Sequence, residues 1–170
     1  VVPNHQLNRK TPLHTRANVA YFGTFGYELD LNKLSYEEIS EVKQQIAFMK
    51  EYRELIQFGT FYRLKSPFEG NETAWMTVSE DKKTALVFWY RERNVVNADF
   101  TRVRLQGLDP DFIYRNEYNG TENYGDELMN LGLLTTDCTA GEPTSEDAPC
   151  TDYESRIYVL TTVARIPSPL

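Results

Sequence analysis

A chain of 170 residues is long enough to bury the core of one domain or slightly more. Its 41% hydrophobic and 25% charged residues are ordinary for a globular protein, and its 13% of aromatic residues favours β structure. The net charge of −7, with 18 basic residues scattered among 25 acidic ones, argues against nucleic acid as a partner, and no apolar stretch is long enough to span a membrane.

The first predicted element is a short helix. Residues 1–10 show no periodicity and predict a loop, whereas the next stretch, TPLHTRANVAYFG, has helical spacing. We expect Thr11 to be the N-cap, Pro12 to be the first helical residue and Gly23 to end the helix. The stretch GYELDL, residues 26–31, then predicts a strand.

The strongest predicted element is a long helix over residues 36–57. Ser35 can cap its first turn while Glu38 reaches back to Ser35, which is the pattern of a capping box, and Gly59 ends the run. An apolar stripe runs along this helix at helical spacing and consists of Ile39, Val42, Ile46, Met49 and Ile56. Covering these five side chains is worth roughly 1.5–3 kcal/mol each, so we expect a bare stripe to drive self-association.

After Gly59 the period changes from helical to strand-like. Short segments rich in aromatic and β-branched residues are separated by turn signals such as FEGN, SEDKK, GLDPD, EYNGTE and NYGDE. The predicted strands are TFYRL, TAWMTVS, TALVFWYRE, TRVRLQGL, FIYRNE and RIYVLTTVAR. This pattern predicts an antiparallel β-sandwich or barrel over residues 59–170, after an α/β segment over residues 1–58. The fold class is therefore mainly β.

The predicted strand 26–31 and helix 36–57 form a single βα unit that stands alone. A strand of a parallel sheet needs neighbouring strands and helices on both faces, and no other segment repeats the pattern. The pattern alone leaves open where the rest of that sheet lies.

Long stretches of the sequence resemble bacterial α-galactosidases of glycoside hydrolase family 36. The resemblance lies first in PNHQ…TPLHTRANVAYFGTFGYELDLNKLS and in QQIAFMKEYRELIQFGTFYRLKSPFEGNETAWMTVSEDKKTALVFWYR. It continues in LQGLDPDFIYR, YGDELMNLGL and SRIYVL, which resemble the closing strands of the family's C-terminal domain. The resemblance covers almost the whole chain except the loop 135–152.

The resemblance implies a (β/α)8 catalytic barrel followed by a smaller β-sandwich. Residues 1–58 would be the C-terminal end of the barrel, with GYELDL as its eighth strand, and the rest of the barrel sheet would lie on polypeptide outside this sequence. Residues 59–170 would be the sandwich, which we expect to be an antiparallel Greek-key β-sandwich. The whole enzyme would remove α-linked galactose from melibiose- or raffinose-type sugars by a retaining mechanism without metal or nucleotide cofactor. It would be a homo-oligomer, commonly a tetramer, in the bacterial cytoplasm. Since Val1 is not Met, we expect a cut or processed N-terminus.

The resemblance places no catalytic residue in this chain. In the family the nucleophile belongs to a WDMNR-like motif and the acid/base to an SDNTDA-like motif, and neither string occurs here. Glu28 and Asp30 are the weak catalytic candidates, because carboxylates at i and i+2 of a strand face the same side. We favour the alternative that they are solvated or cap the following turn.

Two further groups of residues are candidates for sugar contacts. Asn4 and His5 lie in PNHQ, a loop that would approach the rim of the family's active site, although a structural or exposed histidine is the favoured interpretation. Trp75, Trp89 and Tyr90 would form a stacking platform, although core packing is the favoured interpretation there.

The two cysteines, Cys138 and Cys150, fall in a polar, acidic stretch that predicts a mobile surface loop. Their spacing matches no zinc motif and would permit a disulfide, but a cytoplasmic origin favours free thiols. Asn71 and Asn119 begin N-glycosylation sequons, which we interpret as chance matches.

Two functional hypotheses remain open. The chain is either the structural C-terminal part of an α-galactosidase or a separate carbohydrate-binding or interaction module of sandwich type. A separate module would have covered the apolar stripe of helix 36–57, whereas part of a larger enzyme would leave it bare.

Overall fold

The computed structural model of the chain describes residues 11–93, 95, 100–135 and 152–165. The structure divides into two compact units between Gln57 and Phe58. The first unit is helical and the second contains all of the described strands.

The first unit contains helix α1 (Leu13–Ala20), a 3-10 turn (Leu31–Lys33) and the long helix α2 (Tyr36–Phe58). The capping box of α2 is confirmed: the backbone nitrogen of Ser35 donates to Glu38 Oε2 at 2.8 Å, and the backbone nitrogen of Glu38 donates to Ser35 Oγ at 3.2 Å. Each bond satisfies a backbone N–H that a helix start leaves without an intrahelical partner. The helix predicted for residues 36–57 is thus confirmed.

Helix α1 is also confirmed, but its start differs from the prediction. Pro12, not Thr11, is the N-cap, with φ −51° and ψ 145°, and it makes no side-chain capping bond. Proline fixes φ and has no N–H, so it fits the extended residue that precedes the first turn. Thr11 instead offers its carbonyl oxygen to Arg16 Nε at 3.1 Å.

The strand predicted for residues 26–31 is wrong. Residues 24–30 are irregular, and the chain enters the 3-10 turn at Leu31. A strand is held by hydrogen bonds to its neighbours, and no described residue pairs with this segment. The segment therefore has strand-like composition without a sheet to join.

The apolar stripe of α2 is not bare, in contrast to our expectation. Val42 and Met49 are 6% and 9% exposed, and the remaining members of the stripe are half-buried. On an adjacent part of the helix, the Phe48 ring lies 4.9 Å from the ring of Tyr21. Most of the apolar surface that we expected to drive self-association is thus already covered. The bare stripe expected for part of a larger enzyme is not found, so this criterion does not favour that hypothesis over a separate module.

The second unit is built on one six-stranded antiparallel sheet and one two-stranded sheet, with a short helix. The large sheet has the strand order β1-β2-β3-β8-β5-β6. Its strands are β1 (Thr60–Lys65), β2 (Glu72–Val78), β3 (Thr84–Arg91), β5 (Phe112–Asn116), β6 (Glu122–Tyr124) and β8 (Glu154–Arg165). The small sheet pairs β4 (Arg102–Val103) with β7 (Leu133–Leu134), and helix α3 spans Gly125–Asn130.

The core of this unit lies between one face of the large sheet and the layer formed by β4, β7 and α3. It is a single cluster of buried side chains, among them Met76, Trp89, Val103, Leu105, Tyr114, Leu128, Leu133, Tyr158 and Leu160. Leu86 and Phe88, on the opposite face of β3, are fully buried as well. The two-layer, mainly β class with an N-terminal helical segment is therefore confirmed.

Two predicted elements of the second unit differ from the structure. TRVRLQGL contributes only the two residues of β4, and YGDELMNLGL contains α3 rather than strands alone. At the start of α3, a Cβ atom added to Gly125 would lie 2.0 Å from the carbonyl oxygen of Asp109. Glycine is thus needed for this close approach of two backbone segments, not for the turn that the sequence suggested.

We predict that residues 58–170 fold without the preceding segment, because every residue of the main core cluster lies between Ala74 and Leu160. A polypeptide of residues 58–170 should show one cooperative thermal transition by circular dichroism. A polypeptide of residues 1–57 is the control and should show none. Non-cooperative melting of the longer polypeptide would contradict the division after Gln57.

Candidate functional site

The candidate carboxylates Glu28 and Asp30 are both exposed to solvent. Asp30 is the N-cap of the 3-10 turn, where its Oδ1 accepts from both the backbone nitrogen and Nδ2 of Asn32 at 3.0 Å. Lys33 Nζ lies 4.0 Å from the other oxygen of Asp30. The local contacts of Asp30 therefore fit the capping role, whereas no contact among the described residues gives Glu28 a role. Asn4 and His5 lie outside the described residues.

The segment that carries these carboxylates is fastened to α2 through Gln45, which the sequence analysis did not identify. Tyr27 Oη donates to Gln45 Oε1 at 2.6 Å, and Tyr21 Oη donates to the Gln45 backbone oxygen at 3.3 Å. Gln45 Nε2 donates to Glu41 Oε1 at 2.8 Å. The only sequence signal for this role of Gln45 was its position three residues after Val42, which places its amide on the buried side of the helix.

Burial raises the pKa of both phenols, and the nearby carboxylate of Glu41 adds to this effect. Tyr21 and Tyr27 therefore remain protonated at neutral pH and act as hydrogen-bond donors. The hydrogen-bonded group of Tyr21, Tyr27 and Gln45 is therefore suited to fixing the chain before α2 against this helix, not to acid–base chemistry.

The three aromatic residues considered as a sugar platform do not act together. Trp89 is fully buried in the core, which confirms the core interpretation for this residue. Trp75 and Tyr90 are half-buried on the opposite face of the sheet, where their rings lie 4.7 Å apart and are inclined by 34°. Only this pair is placed to support a surface site.

A groove of about 450 Å³ opens beside Trp75, at the edge strand β1. Phe61 and Phe68 line it and are 45% and 95% exposed, and the Arg63 guanidinium lies 5.8 Å from the Phe61 ring. The groove also contains polar and charged side chains of both signs, namely Lys65, Ser66, Glu69 and Thr73. Such a volume and lining are sufficient for a small uncharged ligand that carries hydroxyl groups.

A buried charge cluster lies at one end of the large sheet. Glu154 accepts from the guanidinium groups of both Arg91 and Arg156. The two guanidinium groups lie 5.4 and 5.9 Å from the Trp89 ring, so cation–π attraction adds to the ion pairs. Because the cluster ties β3 to β8 and offers no open acid or base, we interpret it as structural.

No described part of the chain brings together three or more residues able to hold a metal ion. Among the described residues, no helix is both long and apolar enough to cross a membrane. Cys138 and Cys150 lie outside the described residues.

Two family models match the chain in sequence order. Residues 1–59 match the model described as Melibiase, and residues 72–160, more than half of the chain, match the glycosyl hydrolase family 36 C-terminal domain. The chain belongs to glycoside hydrolase family 36. The change from one family 36 segment to the next falls between residues 59 and 72, close to the division after Gln57.

Several α-galactosidases of family 36 are similar to the chain. AgaA of Geobacillus stearothermophilus is 53% identical over 132 residues, which are 78% of this chain and 18% of AgaA. Mel36A of Lactobacillus acidophilus is 45% identical over 133 residues, again 78% of this chain and 18% of the relative.

Solved structures of family 36 enzymes give the same result. The crystal structure of AgaA has a TM-score of 0.84 at 45% identity and covers 96% of this chain and 21% of its own. The α-galactosidase of Lactobacillus brevis has a TM-score of 0.85 at 40% identity and covers 100% of this chain and 22% of its own. The chain therefore spans about a fifth of the length of these family 36 relatives.

We predict that Glu154→Ala destabilises the protein by about 3 kcal/mol, because it leaves the buried guanidinium of Arg91 without its counterion. Urea unfolding of the two proteins measures the difference. The matched control is Glu122→Ala, whose partner Arg115 lies 3.6 Å away with both side chains about half exposed. The control should lower the free energy of unfolding by less than about 1 kcal/mol. Equal losses of stability in the two variants would show that burial of the charge cluster does not determine its contribution.

Proposed function

We propose that this chain is the C-terminal part of an α-galactosidase that releases terminal α-linked galactose from melibiose- or raffinose-type sugars. The observation that carries the proposal is the ordered match of both family 36 segments, together with 53% identity to an α-galactosidase. Structures of AgaA variants in complex with raffinose and with stachyose support this choice of substrate class.

The proposed role of the chain within that enzyme is structural. The first unit is the end of the catalytic barrel, in which α2 is the last outer helix. Residues 26–31 form no strand in this chain alone and would pair as a barrel strand only in the whole enzyme. The second unit is the C-terminal sandwich. Residues 24–30 are irregular and have no pairing partner in the described part of this chain, so the proposed barrel strand requires neighbouring strands from the rest of the enzyme.

The chemistry is assigned to residues that precede this chain. Retaining hydrolysis needs a nucleophilic carboxylate and an acid/base carboxyl about 5–5.5 Å apart on either side of the glycosidic bond. Glu28 and Asp30 are a poor choice for this pair, because both are exposed and Asp30 is already occupied in capping the 3-10 turn. The mechanism proposed for the whole enzyme is retaining. We further propose that the enzyme is a homo-oligomer, a tetramer, and that it is located in the bacterial cytoplasm.

A chimera tests the structural role directly. The last fifth of AgaA is replaced by this chain, joined so that Thr11 follows the equivalent AgaA position. The expected result is a folded chimera that hydrolyses a chromogenic α-galactoside, because the chain is 45% identical to AgaA and has a TM-score of 0.84 over the exchanged part. The 170-residue chain by itself should show no hydrolysis, since positioning of the sugar is worth roughly 7–11 kcal/mol of the barrier.

The same chimera separates a structural from a catalytic role for the two carboxylates. The double change Glu28→Gln and Asp30→Asn should leave kcat of the chimera within about threefold, because neither carboxylate is assigned to the reaction. A loss of about a thousandfold or more would instead identify them as catalytic residues. A folded but inactive chimera with the unchanged carboxylates would contradict the proposed structural role.

A second candidate function is supported by the groove beside Trp75. Its exposed rings and mixed charges suit the apolar face and the hydroxyl groups of a sugar. Within this hypothesis the second unit is a carbohydrate-binding module, and the ring of Trp75, held against Tyr90, is the stacking surface.

Tryptophan fluorescence tests this second candidate on the 170-residue chain. Trp89 is buried, so a change on addition of raffinose reports on Trp75. If the module hypothesis holds, Phe68→Ala should weaken the response about tenfold. Phe100→Ala, the control, is 60% exposed and does not line the groove, so it should leave the response unchanged. A fluorescence signal that does not respond to raffinose would exclude the module.

A further inference from the structure

The hairpin that joins β5 to β6 presents the dipeptide Asn119-Gly120 to solvent. Gly120 has a φ of +74°, and no described atom outside residues 119–121 lies within 4 Å of the position that a Cβ atom would occupy. Of all asparagines in the sequence, Asn119 alone is followed by glycine. The backbone after Asn119 is therefore unusually open to rearrangement.

We propose that Asn119 is a site of spontaneous covalent modification, at which the asparagine is converted into aspartate and isoaspartate. The backbone nitrogen of Gly120 loses its proton and forms a bond to Cγ of Asn119. The bond from Cγ to Nδ2 breaks, and Nδ2 leaves as ammonia with that proton. The product is a five-membered succinimide that contains both carbonyl groups of residue 119.

Water then opens the succinimide. Cleavage of the bond between Cγ and the Gly120 nitrogen gives aspartate, whereas cleavage of the bond to the main-chain carbonyl carbon gives isoaspartate. No oxidant, enzyme or cofactor is needed, because the step exchanges only ammonia and water. Both reacting groups belong to adjacent residues, which makes the attack intramolecular and raises the effective concentration of the nucleophile.

Thr121 supplies the group that promotes the attack. Asn119 Oδ1 accepts from the backbone nitrogen of Thr121 at 3.1 Å and from Thr121 Oγ1 at 2.8 Å. Two donors on one amide oxygen draw electron density from Cγ and stabilise the negative charge that develops on Oδ1 during the attack. This is the principle of an oxyanion hole, acting here on a surface loop.

One hydrogen bond opposes the reaction. The backbone nitrogen of Gly120, which must become the nucleophile, donates to the Asn116 backbone oxygen at 2.7 Å. Opening of this bond has to precede the attack, so the hairpin reacts more slowly than an unstructured peptide. Opening is local, because β6 is an edge strand that pairs with β5 through only three residue pairs.

Modification would loosen the same hairpin. Isoaspartate adds a main-chain carbon between residues 119 and 120, which is incompatible with the bond from Gly120 to Asn116 and with both bonds from Thr121. Either product also adds a carboxylate close in sequence to Glu117 and Glu122. The pairing of β6 with β5 should therefore weaken after modification.

The test is incubation of the 170-residue chain in mildly alkaline buffer, followed by peptide mass spectrometry and enzymatic detection of isoaspartate. The expected result is conversion at Asn119 while Asn123 and Asn130 remain intact in the same digest, since tyrosine and leucine follow them. A synthetic peptide of residues 115–124 gives the reference rate of Asn119 conversion in the absence of the folded hairpin. An intact Asn119 after complete conversion of this peptide would overturn the proposal.

Two variants separate the contributions of the neighbouring residues. Thr121→Val removes the hydroxyl donor and should slow the conversion about threefold to tenfold, a smaller effect than in a buried oxyanion hole because the loop is solvated. Gly120→Ala places a side chain beside the attacking nitrogen and should slow it by more than about tenfold. Unchanged rates in both variants, with the fold verified by circular dichroism, would overturn the assigned geometry.

Discussion

The long strand β8 holds the second unit together. Its 12 residues pair with β3 along one edge and with β5 along the other, through register pairs such as Phe88 with Ile157 and Asn116 with Leu160. In the described part of the chain, the β1–β3 meander and the β5–β6 hairpin have no other link within the large sheet. Without β8 they would be two separate sheets with exposed edges, which are marginal in water.

Placing the last described strand in the middle of the sheet makes the sandwich an all-or-none structure. Tyr158 and Leu160 on β8 join the same buried cluster as Trp89 and Leu128, so the two sides of the core form only when β8 docks. This arrangement accounts for the second unit being compact by itself, whereas the first unit has an irregular segment where a strand was expected. The functional proposal depends on this contrast between a finished sandwich and an unfinished barrel segment.

Local signals in the sequence were sufficient to predict those helices and strands whose formation depends mainly on their own residues. The capping box of Ser35 and Glu38 marked the start of α2, and the apolar run TALVFWYRE marked β3, whose two faces are both buried. Trp89 was assigned correctly to the core by strand alternation. The family was also evident from the sequence, because its motifs extend over most of the chain.

Features that depend on tertiary partners were not predictable in this way. Residues 26–31 have the composition of a strand, but pairing decides strand formation and composition does not. Helix α3 is too short for periodicity to show, and its Gly125 is required by the backbone of Asp109, which is distant in sequence. The role of Gln45 depends on two tyrosines that reach it from a different element. Glu28 and Asp30 were weak catalytic candidates for the same reason, because the residues that would surround them in a catalytic site cannot be identified from their own segment.

Hydrogen exchange at residues 26–31 tests the central claim most directly, namely that this segment is a barrel strand completed by residues outside this chain. The exchange rates are compared between the 170-residue chain and the same chain joined to the upstream part of AgaA, with the amides of β3 and β8 as internal reference. The account predicts fast exchange of residues 26–31 in the chain alone, strong protection in the chimera and equal protection of β3 and β8 in both. Fast exchange of residues 26–31 in a folded, active chimera would contradict it.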